Sequence, residues 1–411
     1  MATTESTFRS GPRIVFVVAL LVAVFAAAVL DVVIPITILD IAKTFDVLPG
    51  TVAQLDSLIA ITSVATALLL AGFSSRFQYK SLVMIGIVFI AACDIGFFLA
   101  PTFLTAQLIV PLNGIGSVII VATAQTFIGN SYPLDKKAKA IGWVAAAGTL
   151  ANTIGSPIIG FMTGIGGWRS VFIWFMLPIA IFSLIFVFLV FPHKTPQPQV
   201  NSKKEPLTRG LKQVLSNKSA VACLLSTFFG TAFGFGALIF EVTYLRQIFS
   251  VSPGYAALIG PMAGTAIITV GAIMGGHVVN RIGRKRLTVV ATIFAGLLLL
   301  VSFFIQDLSL FLAIHYLASI FIGITIAAGS NLILEQVPAF RGTTMFLNSA
   351  FNGLGIASGI TLTGLVINSF ANPIAGFQAL GLTVGALAFT GALVTLFFAK
   401  DPIKHSGTPT K

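Results

Sequence analysis

The chain has 411 residues, 56% of them hydrophobic and 9% charged, with a mean hydropathy of +1.01. Soluble domains carry about 25% charged residues, so this composition excludes a soluble globular fold and points to a polytopic membrane protein. The net charge of +12 does not read as a nucleic-acid footprint, because the basic residues fall between apolar runs and not along one face.

Taken in order, the chain divides into twelve predicted spans: 14–38, 54–74, 82–101, 103–129, 139–163, 170–191, 219–247, 254–278, 287–306, 309–334, 343–368 and 374–399. Each approaches the roughly 20 apolar residues that a bilayer-crossing helix needs. The first run is too long for a cleavable signal peptide and lacks a small-residue cleavage site. The longest polar gap contains HKTPQPQV and NSKKEP. Its prolines and charges predict a linker at 192–218 between two six-helix bundles, 1–191 and 219–411 with a short tail.

Placing both termini in the cytoplasm puts 21 of the 24 lysines and arginines inside and leaves only Lys43, Arg169 and Arg246 outside. That bias sets the expected orientation. Prolines interrupt several spans, at Pro35, Pro111, Pro157, Pro178 and Pro261. Kinks of this kind belong in a packed bundle, where neighbours satisfy the freed backbone groups. Small residues recur in span 5 (Gly148, Gly155, Gly160) and span 11 (Gly355, Gly359, Gly364). They fit either static packing or a sliding interface. Cys93 and Cys223 lie in apolar runs and read as free buried thiols, with no metal-ligand spacing around them. No cofactor is expected.

One hydrophilic stretch stands out. Gly276 to Arg286 reads GHVVNRIGRKR, and a weaker copy, AGFSSRFQYK, occupies Ala71 to Lys80. Arg76 and Arg281 are 205 positions apart, as are Lys80 and Lys285. The repeat predicts two similar halves. Gly276 and Gly283 are expected to let the backbone turn tightly between closely packed helices.

These residues resemble the major facilitator superfamily, and within it the twelve-helix drug:proton antiporters. The family's loop signature, G-x-x-x-D-R-x-G-R-R/K, is matched by Gly276, Arg281, Gly283, Arg284 and Lys285, with Asn280 in place of the Asp. The first-half copy keeps Arg76 and Lys80, with Ser75 where the Asp would be. The stretch Gly155-Ser156-Pro157-Ile158-Ile159-Gly160, followed by Trp168, Arg169 and Phe172, is similar to the helix 5 antiporter signature and its W-R-x-x-F sequel. Asn113, Gly114 and Gly116 resemble the helix 4 motif, with Val110 where the family has an Arg linked to proton coupling. The resemblance implies gating roles for Arg76, Lys80, Gly276, Asn280, Arg281, Gly283, Arg284, Lys285, Pro157 and Gly160. It also implies a central cavity lined by helices 1, 4, 7 and 10.

A carboxylate inside a membrane costs several kcal/mol unless it is paired, wetted or protonated. Protonation is what a proton carrier needs. Asp31, Asp94 and Glu241 fall inside predicted spans, as does His315. These four are the proton-coupling candidates; local hydrogen bonding is the alternative for Asp31, Asp94 and His315, and reaching out to the outer interface is the alternative for Glu241. Asn113, Gln125, Tyr244, Tyr316 and Asn331 could orient a substrate on cavity helices, and Asn152 could contact substrate, gate or pack.

The expected activity is proton-coupled export of a small amphipathic or cationic organic molecule by alternating access, in the cell membrane, by a monomer. Its partners are a small-molecule substrate, protons and the lipid bilayer, with no nucleic acid. A uniporter or proton symporter for a sugar or organic anion stays open, favoured by Val110 and Ser75. A receptor or scaffold without transport would call for a soluble domain or long tail. An enzyme would call for a nucleophile–base pair or metal cluster, and the four histidines are dispersed.

Overall fold

The computed structural model describes residues 14–73, 78–131, 142–144, 146–191 and 207–401. The chain is a multi-pass, all-helical membrane protein, with no strand among the described residues. Twelve helices are long and apolar enough to cross a bilayer. The first six are α1 (Val15–Phe45), α2 (Pro49–Leu70), α3 (Tyr79–Leu99), α4 (Phe103–Ile128), α5 (Gly142–Gly166) and α6 (Trp168–Val190). The second six are α7 (Lys218–Ile248), α8 (Pro253–Val279), α9 (Arg284–Ser302), α10 (Leu308–Leu334), α11 (Pro338–Asn368) and α12 (Pro373–Phe398). Inner and outer ends are named below by the orientation expected from the lysine and arginine count. Within the predicted linker, Leu207–Ser216 forms a short helix that buries Gly210 and Val214 and exposes Lys212 and Leu215.

Three spans carry a π-helical stretch: Ala151–Gly155 in α5, Phe172–Met176 in α6 and Leu258–Met262 in α8. A proline lies close to or inside each one, at Pro157, Pro178 and Pro261. A proline ring clashes with the carbonyl four residues before it and offers that carbonyl no N–H. Widening the helix by one residue there relieves the clash. The sequence marked these kinks but not their π geometry.

The chain forms two compact units. The first comprises Met1–Val47, Leu58–Asn201 and Pro253–Ala257. Its core joins α1, α3, α4 and α6 through Leu20, Val24, Val83, Ile87, Ile120, Phe127, Val187 and Phe191. Near its outer end Phe97 stacks on Phe172, with ring centroids 5.1 Å apart, and Trp168 meets both rings edge-on.

The second unit comprises Leu48–Ser57, Ser202–Ser252 and Leu258–Lys411. Its helices cross at small residues. Gly323 of α10 lies against the Ile268 carbonyl of α8, and Gly271 of α8 against the Ile320 carbonyl of α10. Gly359 of α11 meets Ala232 of α7 in the same way. Such close approach trades side-chain volume for backbone contact. Near the outer end Phe303 stacks on Phe377 at 6.2 Å, and Tyr244 packs against Phe249, Phe303, Phe311 and Phe377.

Candidate functional site

The second unit brings together two of the four predicted proton-coupling residues. His315 Nε2 lies 3.2 Å from Glu241 Oε1, with the side chains 0% and 1% exposed. The two residues are 74 positions apart in the sequence. Local structure places each of them. α7 is interrupted by a turn at Ile239 and Phe240, and Glu241 opens the outer segment Glu241–Ile248, where the free N–H groups of a helix start favour an anion. His315 lies on α10, held between Phe311 one turn outward, ring centroids 5.1 Å apart, and Ser319 one turn inward, whose hydroxyl donates to the His315 carbonyl at 3.0 Å.

α8 closes the remaining side with glycine. A methyl group at Gly260 would come within 3.3 Å of the Glu241 carboxyl carbon, and one at Gly264 within 3.9 Å of both carboxylate oxygens. The carboxylate therefore rests against bare helix backbone. The π stretch of α8 runs beside it, and the Ile259 carbonyl accepts a hydrogen bond from the Tyr316 hydroxyl at 2.6 Å. The pair is an ion-pair approach and not a directed hydrogen bond. Among the described residues, Glu241 Oε1 and both ring nitrogens of His315 have no hydrogen-bond partner. In an arrangement this dry and this incompletely satisfied, each group depends on the other to offset its burial.

The other proton-coupling candidates lie in the first unit. Asp31 is exposed, on a narrow open stripe of α1 that also includes Val18, Val22, Phe25 and Pro35. Between Val17 and Ala42 most other α1 residues are buried, whereas much of α6 is open, so α1 is the more interior helix. Because Pro35 lacks an N–H, the Asp31 carbonyl also loses its helical partner. Asp94, on α3, is 1% exposed, and neither of its oxygens has a hydrogen-bond partner among the described residues. Asn113, on α4, is fully buried with both amide atoms unpartnered. The contacts of Ile90 with Gly116 and of Gly96 with Ile109 place Asp94 and Asn113 at the same level of the α3–α4 pair.

The remaining substrate candidates divide between use and exposure. The Tyr244 hydroxyl donates to the Ile305 carbonyl at 2.7 Å and its ring is buried in the aromatic cluster. Asn331 and Asn152 bond carbonyls of their own helices, at Ala327 and Gly148. Gln125 is exposed on α4.

Among the gating candidates, Arg76 lies outside the described residues, as does the Asn280 side chain. Lys80 is 6% exposed, and its ammonium donates to the carbonyls of Phe188, at 2.7 Å, and Phe191, at 3.0 Å. Gly283 makes the α8–α9 turn at φ 98°, a conformation that only glycine adopts readily. Gly276 does not turn the chain as expected. It lies inside the helix Ala263–Ile282, with open space where a side chain would stand, because the turn falls entirely on Gly283. Arg281 is exposed, and Arg284 and Lys285 are half-buried at the start of α9. Pro157 sits in the first turn of the helix Ser156–Gly166. A side chain on Gly160 would meet the Pro253 carbonyl and the Ala257 methyl, each at 2.6 Å.

Two groups escaped the sequence reading. Asp401 accepts from the backbone N–H groups of Arg284 and Lys285. Thr227 and Thr231 of α7 face Asn348 and Asn352 of α11. Matching polar residues at a spacing of four on two apolar spans were the available signal.

The family model described as Major Facilitator Superfamily matches residues 16–360 and, in a second match, 224–411. An uncharacterized MFS-type transporter of Bacillus subtilis (strain 168), YwfA, is 22% identical over 383 residues, covering 93% of this chain and 91% of the relative. Multidrug resistance protein 2 of the same organism is 23% identical, covering 78% and 80%. Among solved structures, a bacterial homolog of the human lysosomal transporter Spinster, inward-facing and unoccupied, has a TM-score of 0.75 at 16% identity, covering 95% of this chain and 98% of that one. A D-xylose–proton symporter reaches 0.75 at 15% identity, covering 94% and 98%. Both likenesses show the fold alone. A twelve-span helical architecture and a family match that runs through both halves lead to one assignment: the chain belongs to the Major Facilitator Superfamily, the membrane transporters of that fold.

Proposed function

We infer that this transporter couples proton entry to export of a small amphipathic or cationic organic molecule, with Glu241 and His315 as the proton-handling pair and Asp31 as a second acidic group. The observation behind this reading is the 3.2 Å approach of two nearly inaccessible ionisable side chains. A buried pair of this kind is retained against a desolvation cost of several kcal/mol per ion, and intramembrane ionisable groups are functional by default. The similarity to Multidrug resistance protein 2 supports export over import. The likeness to a probable galactarate/D-glucarate transporter, 24% identical over 373 residues, keeps uptake of an organic anion or sugar as the second reading.

In this scheme the two related halves, 1–191 and 219–411, lie in the cell membrane with both termini and the 192–218 linker in the cytoplasm. Arg281, Arg284, Lys285 and Arg286 hold the α8–α9 loop at the anionic inner leaflet.

The test has two stages. A drug-sensitivity panel in an efflux-deficient host selects the transported compound. Proteoliposomes then compare gradient-driven accumulation with gradient-free exchange of that compound. Glu241→Gln and His315→Gln should each abolish accumulation and leave exchange intact. Accumulation at wild-type levels in both variants would remove the pair from the mechanism.

A further inference from the structure

α7 and α11 turn a matched polar face toward each other, inward of their crossing at Gly359 and Ala232. The Thr227 hydroxyl donates to Asn348 Oδ1 at 2.7 Å, and the Thr231 hydroxyl lies 3.1 Å from the Asn352 carbonyl. The first bond fixes the Asn348 amide and leaves its Nδ2 group over. Among the described residues, neither that group nor the Asn352 side-chain amide has a hydrogen-bond partner. All four residues are half-buried, so the amides are reachable without being immersed. Phe228 and Phe351, their neighbours in the chain, are also half-buried and put apolar surface beside the amides.

Charge is absent from this face. No Asp, Glu, Lys, Arg or His occurs from Ser219 to Phe240 on α7 or from Gly342 to Asn368 on α11. An amide left without a protein partner beside apolar surface gains from any ligand group that bonds it. Two such amides, oriented and open, are what a ligand-binding surface keeps in reserve. Their N–H groups donate to a neutral oxygen, and the open Asn352 Oδ1 accepts from a hydroxyl.

We propose that Asn348 and Asn352, with Thr227 and Thr231, form a substrate-contact face that takes an uncharged oxygen-bearing group, a hydroxyl or a carbonyl, of an amphipathic molecule. This rests on the transporter reading and narrows its substrate class to neutral polar heads on apolar bodies.

Two probes with one tail and different heads decide the matter: hexyl β-D-glucoside and hexyltrimethylammonium. Binding is measured on the full-length protein in nanodiscs with no proton gradient, so a failure of coupling and a failure of this face give different results. Wild-type protein should bind the glucoside more tightly than the ammonium. Asn352→Ala removes a side chain that makes no hydrogen bond in the fold. It should weaken glucoside binding about tenfold, equivalent to ~1.4 kcal/mol, and leave the ammonium unaffected. In an Asn352→Cys variant, the glucoside should slow alkylation by N-ethylmaleimide, against a low background because Cys93 and Cys223 are buried. Preference for the ammonium, no glucoside binding by wild type at millimolar concentration, or equal glucoside binding by Asn352→Ala would each overturn the proposal.

Discussion

The Asp401 carboxylate accepts a hydrogen bond at 2.9 Å from the backbone N–H of Arg284, the first residue of α9, and a second from Lys285 at 3.3 Å. A helix start has N–H groups without partners, and a carboxylate there gains from both hydrogen bonding and the helix dipole. The acid lies just beyond the end of α12, so it ties two helix ends together. Asp401→Ala should destabilise the protein by about 1–2 kcal/mol, and Asp401→Asn by less. Thermal unfolding of purified protein in nanodiscs reads this directly. An unchanged midpoint for the alanine variant would show that the contact contributes nothing.

The first unit joins the equivalent helix ends with the opposite charge. Lys80 places its ammonium on the carbonyls of Phe188 and Phe191 at the end of α6, and 4.8 Å from the centre of the Phe188 ring. Hydrogen bonds from a charged donor contribute about 1.5–3 kcal/mol. Lys80→Met keeps the stem and removes the charge, so it should cost an amount in that range. The same unfolding assay checks it, and a cost near zero would mean that water serves those carbonyls equally well.

The Glu241–His315 pair makes a prediction about coupling energy that is separate from transport. Removing one partner leaves the other buried and unmatched, at a cost of about 3–5 kcal/mol. Glu241→Gln and His315→Gln should each lose stability, and the double variant should recover part of it. A double-mutant cycle on unfolding midpoints measures the difference. Additive losses would show that the two groups do not sense each other.

Two glycines 47 positions apart predict opposite outcomes. A methyl group on Gly323 would run into the Ile268 carbonyl, and that atom belongs to a rigid helix. Gly323→Ala should therefore destabilise by about 1–3 kcal/mol. Gly276 has open space at the same point, and its helical backbone suits alanine, so Gly276→Ala should be neutral or stabilising by up to ~1 kcal/mol. Expression level and melting midpoint of the two variants, side by side, test the packing.

The spans were legible because a bilayer demands long apolar runs, and no tertiary contact is needed to see them. Their ends were less so. α1 was predicted to stop at residue 38, and it continues to Phe45 through Asp40 and Lys43, because a helix need not end where its apolar run does. α2 begins at Pro49 and not at 54, although proline in the first turn is a known helix start. Asp31, Asp94, Glu241 and His315 could be named as unusual from their chemistry in an apolar run. That Glu241 meets His315 could not be read, because partnership between α7 and α10 depends on helix rotation, and apolar sequences encode that weakly. The partners of Lys80 were unreadable for a related reason: its long stem carries the ammonium from the start of α3 to carbonyls at the end of α6.

Phe172 and Phe377 occupy corresponding positions, 205 residues apart, and each stacks on its own partner, Phe97 or Phe303. One stacking arrangement occurs twice in the chain. Each ring can thus serve as the built-in control for the other. Trimming either to leucine removes the same atoms, and any mismatch in outcome measures what differs around the stacks, Trp168 on one side and Tyr244 on the other.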